Sequence, residues 1–286
     1  MNREEFFEEV TKAQIGPDNF ETIYNEFGHF QNLALETLRE FHNVCEKNGI
    51  DYQLTFGTLL GVVRDNGMIP WDYDIDVLVS ITEKEKLVEA LSRDLNPNYY
   101  FYCPESDREC RHVIMRLTPE GYRSEVLHVD VFYFTGSPDD STDRKKHALK
   151  IKQISEMRYD KFVKVLQEAS SFRNLVKMVL LKFRTMFISE RSLRHKYESL
   201  VSKYNPKDSK YCITADTFAD WYELPSEFLL ETELIETSMG SFRVPVRRKE
   251  LLKLFYEDYR KLYPVSDRLA ELIKNHKKLV KQSQKK

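Results

Sequence analysis

Cysteine is scarce in this sequence. Cys45, Cys103, Cys110 and Cys212 are the four in 286 residues, with no C-x-x-C pair and no zinc-like spacing. A disulfide framework and a structural zinc site are thereby excluded, and reduced thiols in a cytosolic protein are expected. Nine glycines and ten prolines rule out collagen-like and low-complexity classes. No apolar run reaches the roughly 18 residues that a membrane span needs. The start, Met1-Asn2-Arg3-Glu4-Glu5, is acidic where a secretory signal would be basic and then apolar. Internal repeats and Pro/Gly/Ser-rich linkers are also missing. The expected product is a soluble, cytoplasmic protein.

What is present is core-forming mass: 41% hydrophobic residues, 18 Phe and 16 Tyr. That excludes wholesale disorder and suits one large domain or two small ones. The net charge of −2 conceals a segregation. Residues 1–143 carry 12 Lys and Arg against 28 Asp and Glu, residues 144–203 carry 16 against 5, and residues 204–286 carry 16 against 13. An acidic front half argues against nucleic acid as a partner, because phosphate neutralisation needs basic surface. It suits a site that collects divalent cations.

Phe30, Ala34, Leu38, Phe41 and Cys45 recur at helical spacing within 28–47, and Asn48-Gly49 ends that helix. Residues 50–56 read as a strand, 59–64 as a short helix, 74–80 as a strand and 83–95 as an amphipathic helix. Strand-like runs follow at 99–103, 112–117 and 127–134. From 143 to 203 the pattern is helical and basic, and the chain closes with helices near 247–262 and 266–281. The expectation is an α+β fold: a mixed β-sheet core flanked by helices over 1–140, and a mainly helical region over 141–286 packed on it.

Residues two apart on a strand share a face, so Asp74 and Asp76 project together, with Asp72 joining them if the strand starts early enough. Like charges this close repel, and a hard cation such as Mg²⁺ or Mn²⁺ relieves them. Asp130 stands in the otherwise apolar run Val129-Asp130-Val131-Phe132, where an acid is costly unless paired or metal-bound. Gly57-Thr58, at a strand-to-helix turn, can present backbone N–H groups to a phosphate. Each piece has a plain reading. An Asp-x-Asp is common on strand ends, and Asp130 can pair with Arg111, Arg116 or Arg123. Their order along the chain, however, matches the nucleotidyltransferase-like fold.

The stretch Gly57-Thr58-Leu59-Leu60-Gly61, Arg64, Ile69-Pro70-Trp71 and Asp72-Tyr73-Asp74-Ile75-Asp76 closely resembles the signature of the LicD family, which includes the fukutin-related proteins. The lead-in through Cys45 to Ile50 and the downstream Val129 to Phe132 resemble it too. Two positions depart from the family pattern. Tyr73 stands where many bacterial members have a third acid, and on a strand it would face away from the metals. Glu257 stands where a Gly after Tyr is usual.

The resemblance implies transfer of a phospho-substituent, phosphocholine or a phospho-polyol, from a CDP-linked donor to a hydroxyl of a glycan or lipid-linked glycan. Asp74, Asp76 and Asp130 would hold the metal, Asp72 or Asp76 would accept the proton, and Arg64 would pair with a phosphate. Two alternatives are carried beside it: a nucleotidyltransferase attacking the α-phosphate of an NTP, and a catalytically degenerate binding module.

His128 shares a face with Asp130 and is a substrate-binding candidate. Trp71 could stack on cytosine or on the substituent, and Tyr52, Tyr73, Trp221 and Tyr222 could cage a choline; core packing is the default for each. The apolar, basic run 172–187 offers peripheral contact with the inner face of an anionic membrane, against the plainer account of a helix packed on its own domain. The basic tail from Lys274 reads as a solvated, frayed end.

Overall fold

The computed structural model describes residues 1–107, 110–122, 127–165, 170–217 and 223–283. Helix α1 (Arg3–Ala13) opens with a capping box, Asn2 and Glu5 exchanging side-chain and backbone bonds. Helix α2 (Phe20–Asn48) begins eight residues before the apolar spacing suggests. It buries Phe27, Phe30, Ala34, Leu38, Phe41 and Cys45 along one stripe against the sheet. Gly49, at φ 57°, caps it in the left-handed conformation that only glycine adopts without cost.

Strand β1 (Tyr52–Leu54) is shorter than its pattern, because Phe56 takes φ 44° and turns the chain straight into helix α3 (Phe56–Asp65). Strand β2 (Ile75–Ser80), helix α4 (Lys84–Asp94), strands β3 (Tyr99–Tyr102) and β4 (Met115–Pro119) and strand β5 (Val129–Gly136) follow. β4 starts later than 112 because the His112 carbonyl is taken by the buried Arg158 guanidinium rather than by a ladder bond.

The sheet runs β1-β2-β5-β4-β3, with β2 and β5 parallel and the other neighbours antiparallel. Val77-Leu78-Val79 and Val131 to Phe134 are buried, as central parallel strands must be. Strands β6 (Tyr211–Thr214) and β7 (Leu224–Pro225) extend the same sheet from the C-terminal half, β6 pairing with the far end of β5.

The basic segment forms helices α5 (Ser141–Phe162), α6 (Phe172–Met186) and α7 (Glu190–Val201). A hairpin of β8 (Thr232–Thr237) and β9 (Gly240–Pro245) lies against β1, and helices α8 (Arg248–Tyr256) and α9 (Val265–Ser283) close the chain. The architecture is α+β, a mixed sheet with a largely helical C-terminal part.

Glu257 caps α8 at φ 53°. With ψ at −87° it lies outside the left-handed helical well, and a side chain with a Cβ pays about 1–3 kcal/mol there. Glu257→Gly is expected to raise stability by about 1 kcal/mol, read as a higher urea midpoint at unchanged slope. The position where the family pattern has glycine is thus one whose backbone asks for it.

Candidate active site

The parallel register of the two central strands sets Asp76 directly beside Asp130. Asp74 precedes β2 by one residue, and the Thr58 hydroxyl ties this strand start to α3 by accepting the Asp76 N–H at 2.8 Å. Asp72 stands further back, in a turn rather than on the strand. Its Oδ1 accepts the Tyr73 and Asp74 N–H groups at 2.8 and 3.2 Å. Its Oδ2 lies over Gly57, 3.3 Å from where a Cβ would be, at the N-terminal end of α3 where a negative charge is favoured. The turn is held from α2: the buried Gln31 amide donates to the carbonyls of Ile69 and Asp72.

The four carboxylates do not titrate alike. Burial, then repulsion from Asp130, Asp74 and Asp72, pushes Asp76 well above the ordinary carboxylate range. Burial also raises Asp74, against the pull of Lys278 and His128. Asp72 is pushed up to about 7, by burial first and by Asp74 second. Asp130 goes down: its burial is outweighed by His128, whose Nε2 is 3.2 Å from Oδ1, and by Arg116, whose Nε donates to the same oxygen at 2.8 Å.

A carboxyl whose folded pKa is raised keeps its proton longer when folded than when unfolded. Stability is then lost as pH climbs from about 4, the unfolded value, to about 7, the folded value of Asp72. Asp72→Asn keeps the turn's acceptor oxygen and removes the titration. Denaturant melts of metal-free protein across this window should show a shallower decline in the variant than in the wild type.

The other expected residues are scattered. Thr58 is buried and serves the strand start, and Gly57 gives room to Asp72. Arg64 binds the Asp65 carboxylate through Nε and Nη2 and lies over Trp71, so it is not directed at the carboxylates. Trp71 is 4% exposed, packed against Phe6 of α1 and under the Arg268 guanidinium, which leaves no ring face for a ligand. His128 does stand beside Asp130, and its Nδ1 is buried without a hydrogen-bond partner among the described residues.

Tyr52 is a core residue, its hydroxyl against His42 Nδ1 at 2.8 Å. Tyr73 does not turn away from the acids as strand alternation would have it. It precedes β2, so its ring enters the core against Phe27 while its hydroxyl bonds the Asp74 carboxylate. Arg123, Trp221 and Tyr222 lie outside the described residues.

Of the three arginines that the sequence offers Asp130, Arg116 is the one that β4 places opposite it. Lys278 belongs to a docked helix, against the expectation of a frayed tail. α9 docks along Leu269, Leu272 and Leu279, Asn275 donates to the Trp71 carbonyl, and Lys278 Nζ donates to the Tyr73 hydroxyl at 2.8 Å. The leucine spacing of 269, 272 and 279 was the signal that this segment has a buried face.

Beside Asp130 opens a cavity of about 500 Å³, lined by Arg111, Arg116, Phe132, Tyr159 and Asp160 among others. Arg111 and Arg116 face four carboxylates across it, Asp130, Glu156, Asp160 and Asp216, while Phe132 and Tyr159 give it an aromatic side. The donor chemistry of Asp74, Asp76 and Asp130 fits a hard divalent cation: oxygen ligands, in excess of the positive charge around them. They do not form a ready cage. Among the described residues no three His, Cys, Asp or Glu side chains are gathered to hold one ion, and Asp130 is turned to Arg116 and His128.

The model of the LicD/FKTN/FKRP nucleotidyltransferase domain matches this chain from 49 to 175, the span that holds β1 to β5 and all four acids. Residues 49–175 are a LicD-family domain. The lipopolysaccharide cholinephosphotransferase LicD of Haemophilus influenzae is 26% identical over 251 residues, covering 83% of this chain and 92% of that protein. The likeness to LicD therefore runs well past the domain into the helical half. Human ribitol 5-phosphate transferase FKRP is 48% identical over 42 residues, 15% of this chain and 8% of its own length. An uncharacterised protein of Rickettsia prowazekii is 43% identical over 56 residues, 20% of this chain and 21% of its own.

Proposed function

We propose that this LicD-domain protein transfers a phosphate-bearing substituent from a CDP-linked donor to a hydroxyl of a glycan, with release of CMP. The observation that carries the reading is the register that sets Asp76 beside Asp130, with Asp74 and the Thr58 turn at the same strand end. The relatives add their named activities: choline phosphate transfer to lipopolysaccharide for the Haemophilus protein, ribitol 5-phosphate transfer for the human one.

Asp74, Asp76 and Asp130 would hold Mg²⁺ or Mn²⁺, which when bound would neutralise the donor's pyrophosphate and the departing CMP. The chain's own groups do the rest. Arg116 and Arg111 on the cavity wall meet phosphate oxygens. Tyr159 and Phe132 offer surface to the base or the substituent. Asp72, whose proton affinity is raised to about 7, accepts the acceptor hydroxyl's proton as that oxygen attacks the distal phosphorus in line. Thr58, Gln31 and Tyr73 position the carboxylates without touching substrate.

The test is product analysis with CDP-choline, CDP-ribitol and CDP-glycerol in the presence of Mg²⁺ and a glycan acceptor. CMP should appear with one donor and cease on adding EDTA. Pyrophosphate from an NTP would instead indicate the nucleotidyltransferase alternative, and no product from any donor would leave a binding module.

A further inference from the structure

Helix α6 carries its apolar side outward. Phe172, Val176, Val179, Leu180 and Phe183, with Phe187 just past its end, are exposed, Phe172 and Phe187 by 78% and 81%. At 3.6 residues per turn these six fall within about 120° of the circumference. The opposite side is the one held by the protein: Thr185 is buried, Lys182 Nζ donates to the carbonyls of Lys161 and Val163, and Lys161 Nζ donates to that of Thr185 at 3.3 Å. Leu175, Met178 and Leu181 are half-buried on that side, so the helix is apolar on both sides and leaves its larger stripe uncovered, where an ordinary surface helix exposes charge. The helix is packed on its own domain, as the plainer account expects, but its largest apolar stripe is not the side that packs.

Charge selects the occupant of this face. Arg173, Lys177 and Arg184 border it along one side, and no Asp or Glu occurs between Glu168 and Glu190. A second copy of this chain, meeting the face about a two-fold axis, would bring like charges together. An anionic bilayer supplies both complements, acyl chains for the stripe and phosphates for the cations. We infer that α6 lies in the surface of an anionic membrane, with its apolar stripe among the acyl chains and Arg173, Lys177 and Arg184 at the lipid phosphates. No described helix is long and apolar enough to cross the membrane, so the contact is peripheral.

The location gives this contact a use. Tyr159 and Asp160 line both the cavity beside Asp130 and a smaller one of about 290 Å³ bounded by Asn174, Lys177 and Met178 of α6. Docking would hold the proposed active site next to the bilayer, where a lipid-carried glycan presents its hydroxyls. That use rests on the proposed function; the membrane contact does not.

Co-sedimentation of the full chain with vesicles of phosphatidylcholine alone, or mixed with phosphatidylglycerol, tests it. Binding should be about ten-fold or more tighter to the anionic vesicles and should weaken with salt. Phe183→Glu and Leu180→Glu should abolish it without lowering the melting temperature, since both side chains are already in water. Arg173→Glu with Lys177→Glu should remove the preference for phosphatidylglycerol. Absence of binding, or binding unchanged by Phe183→Glu, overturns the inference. So does a solution dimer that Phe183→Glu converts to monomer by light scattering, because a second copy would then cover the face. Vesicle binding that survives when no donor yields CMP would sink the proposed chemistry alone.

Discussion

Asp76→Asn should cost activity and gain stability at once. Activity should fall about a thousand-fold, some 4 kcal/mol of barrier, because the carboxylate beside Asp130 is lost. The metal-free variant should nevertheless melt a few degrees higher than the wild type. Asp76 is crowded by Asp130, Asp74 and Asp72 and lies mostly out of water. Whether it stays charged against them or takes up a proton that the unfolded chain would release, the folded state is disfavoured. Asparagine ends both costs while keeping the shape. Calorimetry without metal and CMP release with it measure the two halves. A variant that is inactive because it is unfolded would contradict this account, and so would one that keeps its turnover.

Arg116→Met should destabilise the unliganded fold by about 2–4 kcal/mol. That is somewhat below the cost of breaking a fully buried pair, since both partners retain slight exposure. The guanidinium holds Asp130 Oδ1 and also meets His112 Nε2 at 3.1 Å, so its loss leaves a carboxylate beside Asp76 with His128 as its remaining partner. Adding Asp130→Asn in the same chain should restore about half of the loss, because the under-compensated charge goes with it. Urea denaturation of the two single variants and the double variant gives the coupling directly. Additive losses would mean that Arg116 acts through packing and not through Asp130.

Much of this architecture was legible along the chain, and the reason is periodicity. The two-residue alternation around Asp74 and Asp76, and the apolar run around Asp130, located both central strands within a residue or two, since such patterns report burial directly. Alternation failed two residues outside the strand, at Tyr73, where the backbone no longer zigzags. Trp71 looked available because nothing in 69–76 reveals that Phe6 of α1 and Arg268 of α9 close over it. Arg116 could not be told from Arg111 by pattern; it took the antiparallel register of β4 on β5 to choose it. Lys278 was hidden by its company, a run of lysines whose charge masked the leucines on the other side of the helix.

The contacts of α9 with the acidic turn set an order of events in folding. Asn275 reaches the Trp71 carbonyl and Lys278 the Tyr73 hydroxyl across sequence separations of 204 and 205 residues. Closing a loop of that length costs about 5 kcal/mol of chain entropy, to be met before either bond returns anything. The hairpins of the sheet, whose partners are close in sequence, can form well ahead of it. A refolding chain should therefore pass through a stage with its strands protected from hydrogen exchange while the turn at 71–74 still exchanges freely. At that stage the molecule has its fold but not yet its carboxylate constellation, and regaining activity should lag behind regaining secondary structure.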